Sequence, residues 1–217
     1  MPFGLGRKKE APPASTSGDE AVDPRDQEPR GVRFHGLTEE WRLQGSMAIT
    51  GRLLDTLNKR EAIELADVTW APLDGSAPFE PAPGIQAVDP YDLIVVFAGP
   101  ESLATLADDE RTAHRIHKIT FDVALEVPPL RVIGTVQLHP GSEPSGLLDR
   151  STQMFVAVTN PSVWLAGAEV DLGPDIDVVL VNRFYLRGVE QVDLATRERH
   201  ARLPGMPLGG TTWRERS

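Results

Sequence analysis

Alternation of apolar and polar residues is the clearest pattern in this chain, and it predicts β-strands. In ITFDVALEV, residues 119–127, every second residue is apolar, which places these side chains on one face of a strand. The β-branched runs FVAVT at 155–159 and VVLV at 178–181 are typical of fully buried strands. Turn-forming pairs such as Asp74-Gly75 fall at close intervals between these runs. Short strands with frequent turns predict a small β-sandwich or β-barrel.

Two segments have a helical pattern instead. The segment RLLDTLNKR, residues 52–60, predicts two helical turns with its three leucines on one side. The segment GPESLATLADDERTAHRI, residues 99–116, has a proline near its first turn, acidic residues early and basic residues late, as the helix dipole favours. We expect the first segment to be a short plug within a barrel and the second to connect two parts of the chain.

The chain contains two similar stretches, which predicts a duplicated unit. An Arg-x-x-Gly pair within an apolar strand occurs at 42–45 and again at 131–134, and Leu-Leu-Asp follows at 53–55 and at 147–149. Self-similarity at a long spacing is the main sequence sign of a repeated unit. The predicted fold is therefore mainly β, with two tandem small β-barrels of SH3-like or Sm-like type and short helical insertions.

Both ends of the chain are predicted to lie outside the barrels. The segment APPASTSGDEAVDPRDQEPRG is rich in Pro, Ser, Gly and acidic residues and offers almost nothing apolar to bury. Prolines and a Gly-Gly pair interrupt the C-terminal segment. The predicted organisation is a disordered tail at 1–30, a first barrel at 31–100, a connecting helix at 101–117, a second barrel at 118–195 and an extended tail at 196–217.

Charge and composition restrict the classes of function. The net charge of -10 argues against a protein that binds nucleic acid by neutralising phosphates. The sequence has no cysteine, which fits a reducing compartment. No apolar stretch approaches the ~20 residues of a membrane-spanning helix, so we expect a cytoplasmic protein. In residues 1–9, MPFGLGRKK, Phe3 and Leu5 lie beside three basic side chains, which predicts at most weak attachment to an anionic membrane.

The first Leu-Leu-Asp segment also carries a family resemblance. GRLLDTLN at 51–58 follows a glycine-bearing strand and precedes DVTW at 67–70. This pattern resembles the Arg-Leu-x-Asp-x-Leu-Asn signature of an uncharacterised bacterial family of small β-barrel domains. The resemblance covers residues 42–99 and, more faintly, 131–189, where RST replaces TLN after the aspartate. It implies a small barrel in each copy and no particular activity.

The polar residues of these segments have two possible roles. Asp55 and Asn58 lie one helical turn apart, and a carboxylate with an amide could bind a ligand. Aspartate directly after an apolar pair more often caps a turn, and Asp149 recurs in the second copy without the asparagine. We therefore expect Asp55, Asn58 and Asp149 to have structural roles in turns and caps.

The connecting helix contains a weak candidate for a metal site. His114 and His117 are spaced so that both imidazoles could face one divalent ion, with acidic residues just upstream. No third ligand stands out, and structural zinc sites use four ligands. We therefore predict neither a metal site nor a cofactor.

The same helix supports an alternative hypothesis. Arg111 and Arg115 form an R-x-x-x-R pair similar to the one that precedes the barrel of cyclic-dinucleotide-binding PilZ domains. Those domains also carry a [D/N]-x-S-x-x-G loop. The segment NPSVWLAG offers Asn160 and Ser162, but its glycine comes late, at Gly167. The alternative is a sensor of a cyclic-dinucleotide-like ligand that these four polar residues would bind.

Neither a G-x-S-x-G nucleophile elbow nor a G-x-x-x-x-G-K-[ST] phosphate loop occurs in the sequence. We therefore predict a non-enzymatic cytoplasmic interaction or scaffold protein. It would bind a protein partner through a barrel surface or an open strand edge. An RNA-binding Sm-like barrel is a weaker alternative, because the acidity of the chain argues against it.

Overall fold

The computed structural model describes residues 29–102, 118–151 and 153–194, and it confirms the prediction of a mainly β fold. Within these ranges the chain forms one short α-helix, α1 (Leu53–Asn58), and thirteen strands. The strands are β1 (Arg30–Leu37), β2 (Trp41–Ile49), β3 (Ile63–Glu64), β4 (Ala66–Pro72), β5 (Glu80–Pro81), β6 (Ala87–Val88), β7 (Val95–Ala98), β8 (Ile119–Val127), β9 (Leu130–Leu138), β10 (Phe155–Leu165), β11 (Ala168–Glu169), β12 (Val178–Asn182) and β13 (Gly188–Gln191).

Eleven of these strands form one antiparallel sheet. Ten follow the order β13-β8-β9-β10-β12-β7-β1-β2-β4-β5, and β11 pairs with the end of β10. Strands β3 and β6 pair separately. We call residues 29–102 the first half and residues 118–194 the second half. Each half contains a three-stranded unit, β1-β2-β4 in the first and β8-β9-β10 in the second, so the halves have similar local topology.

The prediction of two tandem barrels is not confirmed, because the sheet is continuous and does not close on itself. A closed barrel requires the first and last strands of a unit to pair with each other. Here β7 pairs with β12 of the other half, from Val95 opposite Val181 to Ala98 opposite Val178. The backbone groups of β7 that could have closed a first barrel instead bond to β12. The sheet therefore runs from the first half directly into the second.

Two hydrophobic cores lie on opposite faces of the paired strands β7 and β12. On β7, Val96 packs in the first core and Phe97 packs in the second. On β12, Leu180 belongs to the first core and Val181 to the second. All four residues of β7 are buried, which explains why this strand is an uninterrupted apolar run in the sequence.

The two Leu-Leu-Asp segments occupy matching places after the second strand of each unit. Leu53 begins α1 and is buried in the first core, while Leu147 lies in the 3₁₀ helix Pro144–Leu148 and is buried in the second. Of the predicted connecting helix, the structure describes only the 3₁₀ turn Pro100–Ser102. No helix in the described ranges has the length and apolar character needed to cross a bilayer.

The Arg-x-x-Gly similarity corresponds to matching β-bulges. The β2–β4 ladder shifts register beside Gly45, and the β9–β10 ladder shifts register beside Gly134. The third strand of each unit carries a residue with positive φ at this point, Asp67 at 53° and Asn160 at 49°. A Cβ added at either glycine would lie 2.8 Å from a carbonyl oxygen of the neighbouring strand, so both positions require glycine.

Candidate functional site

The junction between the two halves is held by two polar side chains, of which Asn58 is the first. Its Nδ2 donates a hydrogen bond to the carbonyl oxygen of Phe155 at 3.4 Å, and the Phe155 amide donates to its Oδ1 at 2.8 Å. Asn58 ends α1 in the first half, whereas Phe155 begins β10 in the second. This side chain therefore ties the first half to the backbone of the second.

Asn182, at the end of β12, makes the second connection. Its buried Nδ2 donates to the carbonyl oxygens of Pro90 at 3.2 Å and Leu93 at 2.7 Å. Its Oδ1 accepts a hydrogen bond from the Phe184 amide at 2.9 Å. One buried amide thus fixes the 3₁₀ turn Pro90–Asp92 of the first half and the start of the β12–β13 loop.

Arg183, which follows Asn182 in the chain, holds the 3₁₀ helix Pro144–Leu148 within the second half. Its buried guanidinium donates to the carbonyl oxygens of Gly146 at 2.9 Å and Leu147 at 2.8 Å, and also to that of Asp149. Burial lowers the pKa of Arg183, and the nearby Asp149 carboxylate opposes that shift. The guanidinium N–H groups thus provide hydrogen bonds for carbonyl oxygens that the end of a short helix leaves without partners.

An arginine–aromatic cluster, formed by Arg60, Tyr91, Arg150 and Phe184, lies at this junction. The guanidinium carbons of Arg60 and Arg150 are 5.7 Å and 5.9 Å from the centroid of the Phe184 ring. The Tyr91 ring lies 5.5 Å from the same ring and is 42% exposed. Two cations from different halves therefore share one aromatic ring beside an accessible second ring.

A groove of about 460 Å³ lies between the first half and residues 172–176 of the second. Its lining includes His35 and Phe97, whose ring centroids are 4.2 Å apart. Burial, with a smaller contribution from Arg42, lowers the pKa of His35 to about 4, so its imidazole is uncharged at neutral pH. Nε2 of His35 is buried and has no hydrogen-bond partner among the described residues.

The polar lining of the groove carries an excess of negative charge. Arg33 pairs with Glu101 at 3.2 Å. Asp67 of the first half and Asp175 of the second are exposed lining residues, and neither forms an ion pair with another residue in the described part of the chain. The uncompensated charge of the groove is therefore negative, and each half contributes to it.

The structure places the predicted turn residues in separate environments. Asp55 forms a bidentate ion pair with Arg52, at 2.7 Å and 3.0 Å, and it accepts no capping hydrogen bond from the backbone of α1. Asp149 accepts a hydrogen bond from the Ser151 amide at 2.9 Å, which lowers the pKa of its carboxyl. Asn58 bonds across the junction, as described above, and not to its own helix.

The residues predicted to bind a cyclic-dinucleotide-like ligand are only partly described. The amide of Asn160 donates to the carbonyl oxygen of Asp177 at 3.0 Å, and Ser162 pairs with Ile133 of β9. Neither Asn160 nor Ser162 lines the groove. The predicted ligand residues Arg111 and Arg115 and the weak metal candidates His114 and His117 all lie outside the described residues.

No group of three or more His, Cys, Asp or Glu in the described ranges is placed to hold a metal ion. The arginine–aromatic cluster escaped the sequence analysis because its members come together only through the fold. Of the stretch RFYLR at 183–187 only Phe184 belongs to the cluster, so no local pattern indicates the cluster.

Comparison of the chain with protein-family models, with curated proteins and with solved structures found no match. The resemblance of residues 42–99 to a family of small β-barrels therefore stays a prediction.

Proposed function

We propose that this chain is a non-enzymatic interaction protein of the cytoplasm and that its groove binds a basic segment of a protein partner. The observation that supports this proposal best is the pair of exposed carboxylates at the groove, Asp67 from one half and Asp175 from the other. A lysine or arginine of a partner would gain charge-assisted hydrogen bonds from either group.

The remainder of the groove suits an extended polypeptide. Gln44 and Thr69 offer amide and hydroxyl groups for hydrogen bonds, and Leu172 and Ile176 offer apolar surface. The net charge of -10 attracts a basic partner over distances longer than the groove itself. Binding would therefore combine long-range attraction with local contacts to both halves.

The side-chain hydrogen bonds at the junction and in the neighbouring part of the second half favour a binding role over a catalytic role. Asn58, Asn182 and Arg183 all use their side chains on backbone atoms. Residues with these partners hold the shape of the molecule, and a shaped surface is what recognition of a partner requires.

The experiment is a pull-down from a lysate of the source cells with matched variants. We expect the wild-type chain to retain a basic partner, and we expect the double variant Asp67→Asn with Asp175→Asn to retain about tenfold less. The exposed Glu143 does not line the groove, so Glu143→Gln is the control for loss of negative charge and should retain the partner as the wild type does.

A second variant, Ser46→Trp, tests the groove by filling it without changing its charge. Its retention of the partner should fall as well, while its unfolding temperature stays near that of the wild type. Equal retention by all of these folded variants would contradict the proposal.

We also propose that the two halves descend from one duplicated unit of the small-barrel type. The matched bulges support this idea, since Gly45 and Gly134 face the same kind of close backbone contact. The buried Leu53 and Leu147 support it further, because each follows the second strand of its unit and enters the core of its own half.

A further inference from the structure

We infer that residues 202–208 of this chain, RLPGMPL, dock into an apolar groove on the outer face of the second half. This groove, which we call the outer groove, has a volume of about 450 Å³. It shares no lining residue with the groove between the halves, so the inference does not depend on the proposed binding of a basic partner. The apolar side chains that line it are Pro128, Pro129, Leu130, Ile133, Trp164 and Ala166.

The outer face is the side of the sheet opposite the second core, and it carries a small hydrophobic cluster of its own. On β8, Val123 and Leu125 pack in the second core, whereas Ala124 between them packs with Ile133 and Val192. Val192 follows β13 directly and is only 1% exposed. The chain beyond the last strand therefore folds over this face and covers part of it.

The outer groove continues this cluster. Ile133 belongs to the cluster and lines the groove, and so does Trp164, which packs against the cluster together with Leu194. The structure describes the chain as far as Leu194, so the chain leaves the described fold beside the groove. Leu203 follows nine residues later, and an extended chain of that length spans up to about 30 Å. The segment 202–208 can therefore reach the groove.

The composition of the segment matches the lining of the groove. Residues 203–208, LPGMPL, contain five apolar side chains and no charge. The groove offers the exposed Pro128, Pro129 and Ala166 as apolar surface, together with the half-buried indole of Trp164. Segments with prolines suit grooves that contain an aromatic ring, because they lose little conformational entropy when they bind.

The charges also favour docking within the chain. Residues 195–217 contain five arginines and two glutamates and so carry a charge of +3, whereas the whole chain carries -10. Arg131 lines the outer groove, but it pairs with Glu126 at 2.9 Å, so its charge is compensated there. A segment joined to the fold by a short linker also has an effective concentration on the order of millimolar, which a separate partner would have to exceed.

The test uses paired cysteines in the full chain, which has no cysteine of its own. Ala166→Cys places a thiol at the outer groove, and Ala201→Cys places the second thiol just before the docked segment. The matched control pair is Ala87→Cys with Ala201→Cys, because Ala87 is also exposed but lies in β6 of the first half. In a glutathione buffer, we expect the effective concentration of the two thiols to be about tenfold higher in the groove pair than in the control pair.

Substitutions within the segment separate docking from simple tethering. Leu203→Asp, Met206→Asp and Leu208→Asp, combined in the groove pair, should lower the effective concentration to about that of the control pair, because a carboxylate cannot be buried among apolar side chains. Gly210→Asp, Thr211→Asp and Thr212→Asp add the same charge beyond the segment and should leave the effective concentration unchanged. None of these six substitutions alters a residue of the described fold, and thermal unfolding should show that every variant is folded.

The inference is overturned if the groove pair and the control pair form intrachain disulfides equally well, which would mean that the segment does not occupy the groove. Unchanged disulfide formation with the three aspartates in the segment would overturn it as well. Disulfides that form mainly between chains in dilute protein would assign the groove to the segment of a second copy and would also overturn it.

Discussion

Asn58 and Asp55 lie one turn apart in α1, but their side chains have different partners. Asn58 exchanges two hydrogen bonds with the backbone of Phe155, whereas Asp55 pairs with Arg52 at the surface. We expect Asn58→Ala to lower the free energy of unfolding by about 1–3 kcal/mol, because it leaves buried backbone groups of Phe155 without these partners. Asp55→Ala should lower it by about 0–1 kcal/mol, because exposed ion pairs contribute little. Urea unfolding measures both values.

Asn58→Asp refines this comparison at the same position. The aspartate keeps an acceptor for the Phe155 amide but has no donor for the Phe155 carbonyl oxygen. Its free energy of unfolding should therefore lie between those of the wild type and Asn58→Ala. If Asp55→Ala proved as destabilising as Asn58→Ala, the connection across the junction would not be the reason that the asparagine matters.

At the scale of elements, the close contacts at the two bulges predict how much one added methyl group lowers the stability of the fold. Gly45→Ala and Gly134→Ala each place a Cβ 2.8 Å from a carbonyl oxygen of the next strand. We expect each to lower the free energy of unfolding by about 1–3 kcal/mol, because strand backbones cannot separate without loss of ladder hydrogen bonds. Thermal and urea unfolding measure the change.

Gly31→Ala is the control for this pair of variants. Gly31 also lies in a strand, but a Cβ there would meet no atom within 4 Å. Its replacement should leave stability unchanged or raise it slightly, since alanine restricts the unfolded chain. A loss of stability as large as that of Gly45→Ala would show that strand glycines matter here for a reason other than close approach.

Much of the strand content could be predicted from the sequence, because alternation and apolar runs are local properties. The segment 119–127 forms β8, and the run 178–181 lies in β12 with nearly every residue buried. Closure could not be predicted, because it depends on whether β7 pairs within its own half or with β12. Both choices bury the same apolar residues, so hydrophobic pattern does not distinguish them.

The candidate sites were harder to predict for a related reason. Arg60, Tyr91 and Phe184 are far apart in the sequence, and only the pairing of the halves brings them together. The sequence indicates the turn residues, because they are polar groups beside apolar pairs. It does not indicate which groups they bind through hydrogen bonds or ion pairs. Asn58 bonds to a strand of the other half, which no local pattern specifies.

At the scale of the whole molecule, the continuous sheet predicts cooperative unfolding. The β7–β12 ladder and the side chains of Asn58 and Asn182 join the halves, and both cores include residues of these two strands. We expect one transition in differential scanning calorimetry, with equal calorimetric and van't Hoff enthalpies. Asn182→Ala should move this transition to lower temperature without splitting it. Two separate transitions in the wild type would instead indicate independent domains.

The position of β12 in the chain has a consequence for biosynthesis. β7 leaves the ribosome well before β12, and all of β8 to β11 is made between them. During this interval one edge of an entirely apolar strand lacks its final neighbour, and such edges recruit other chains. We therefore expect the nascent first half to be prone to aggregation until the strand that completes its sheet emerges from the exit tunnel.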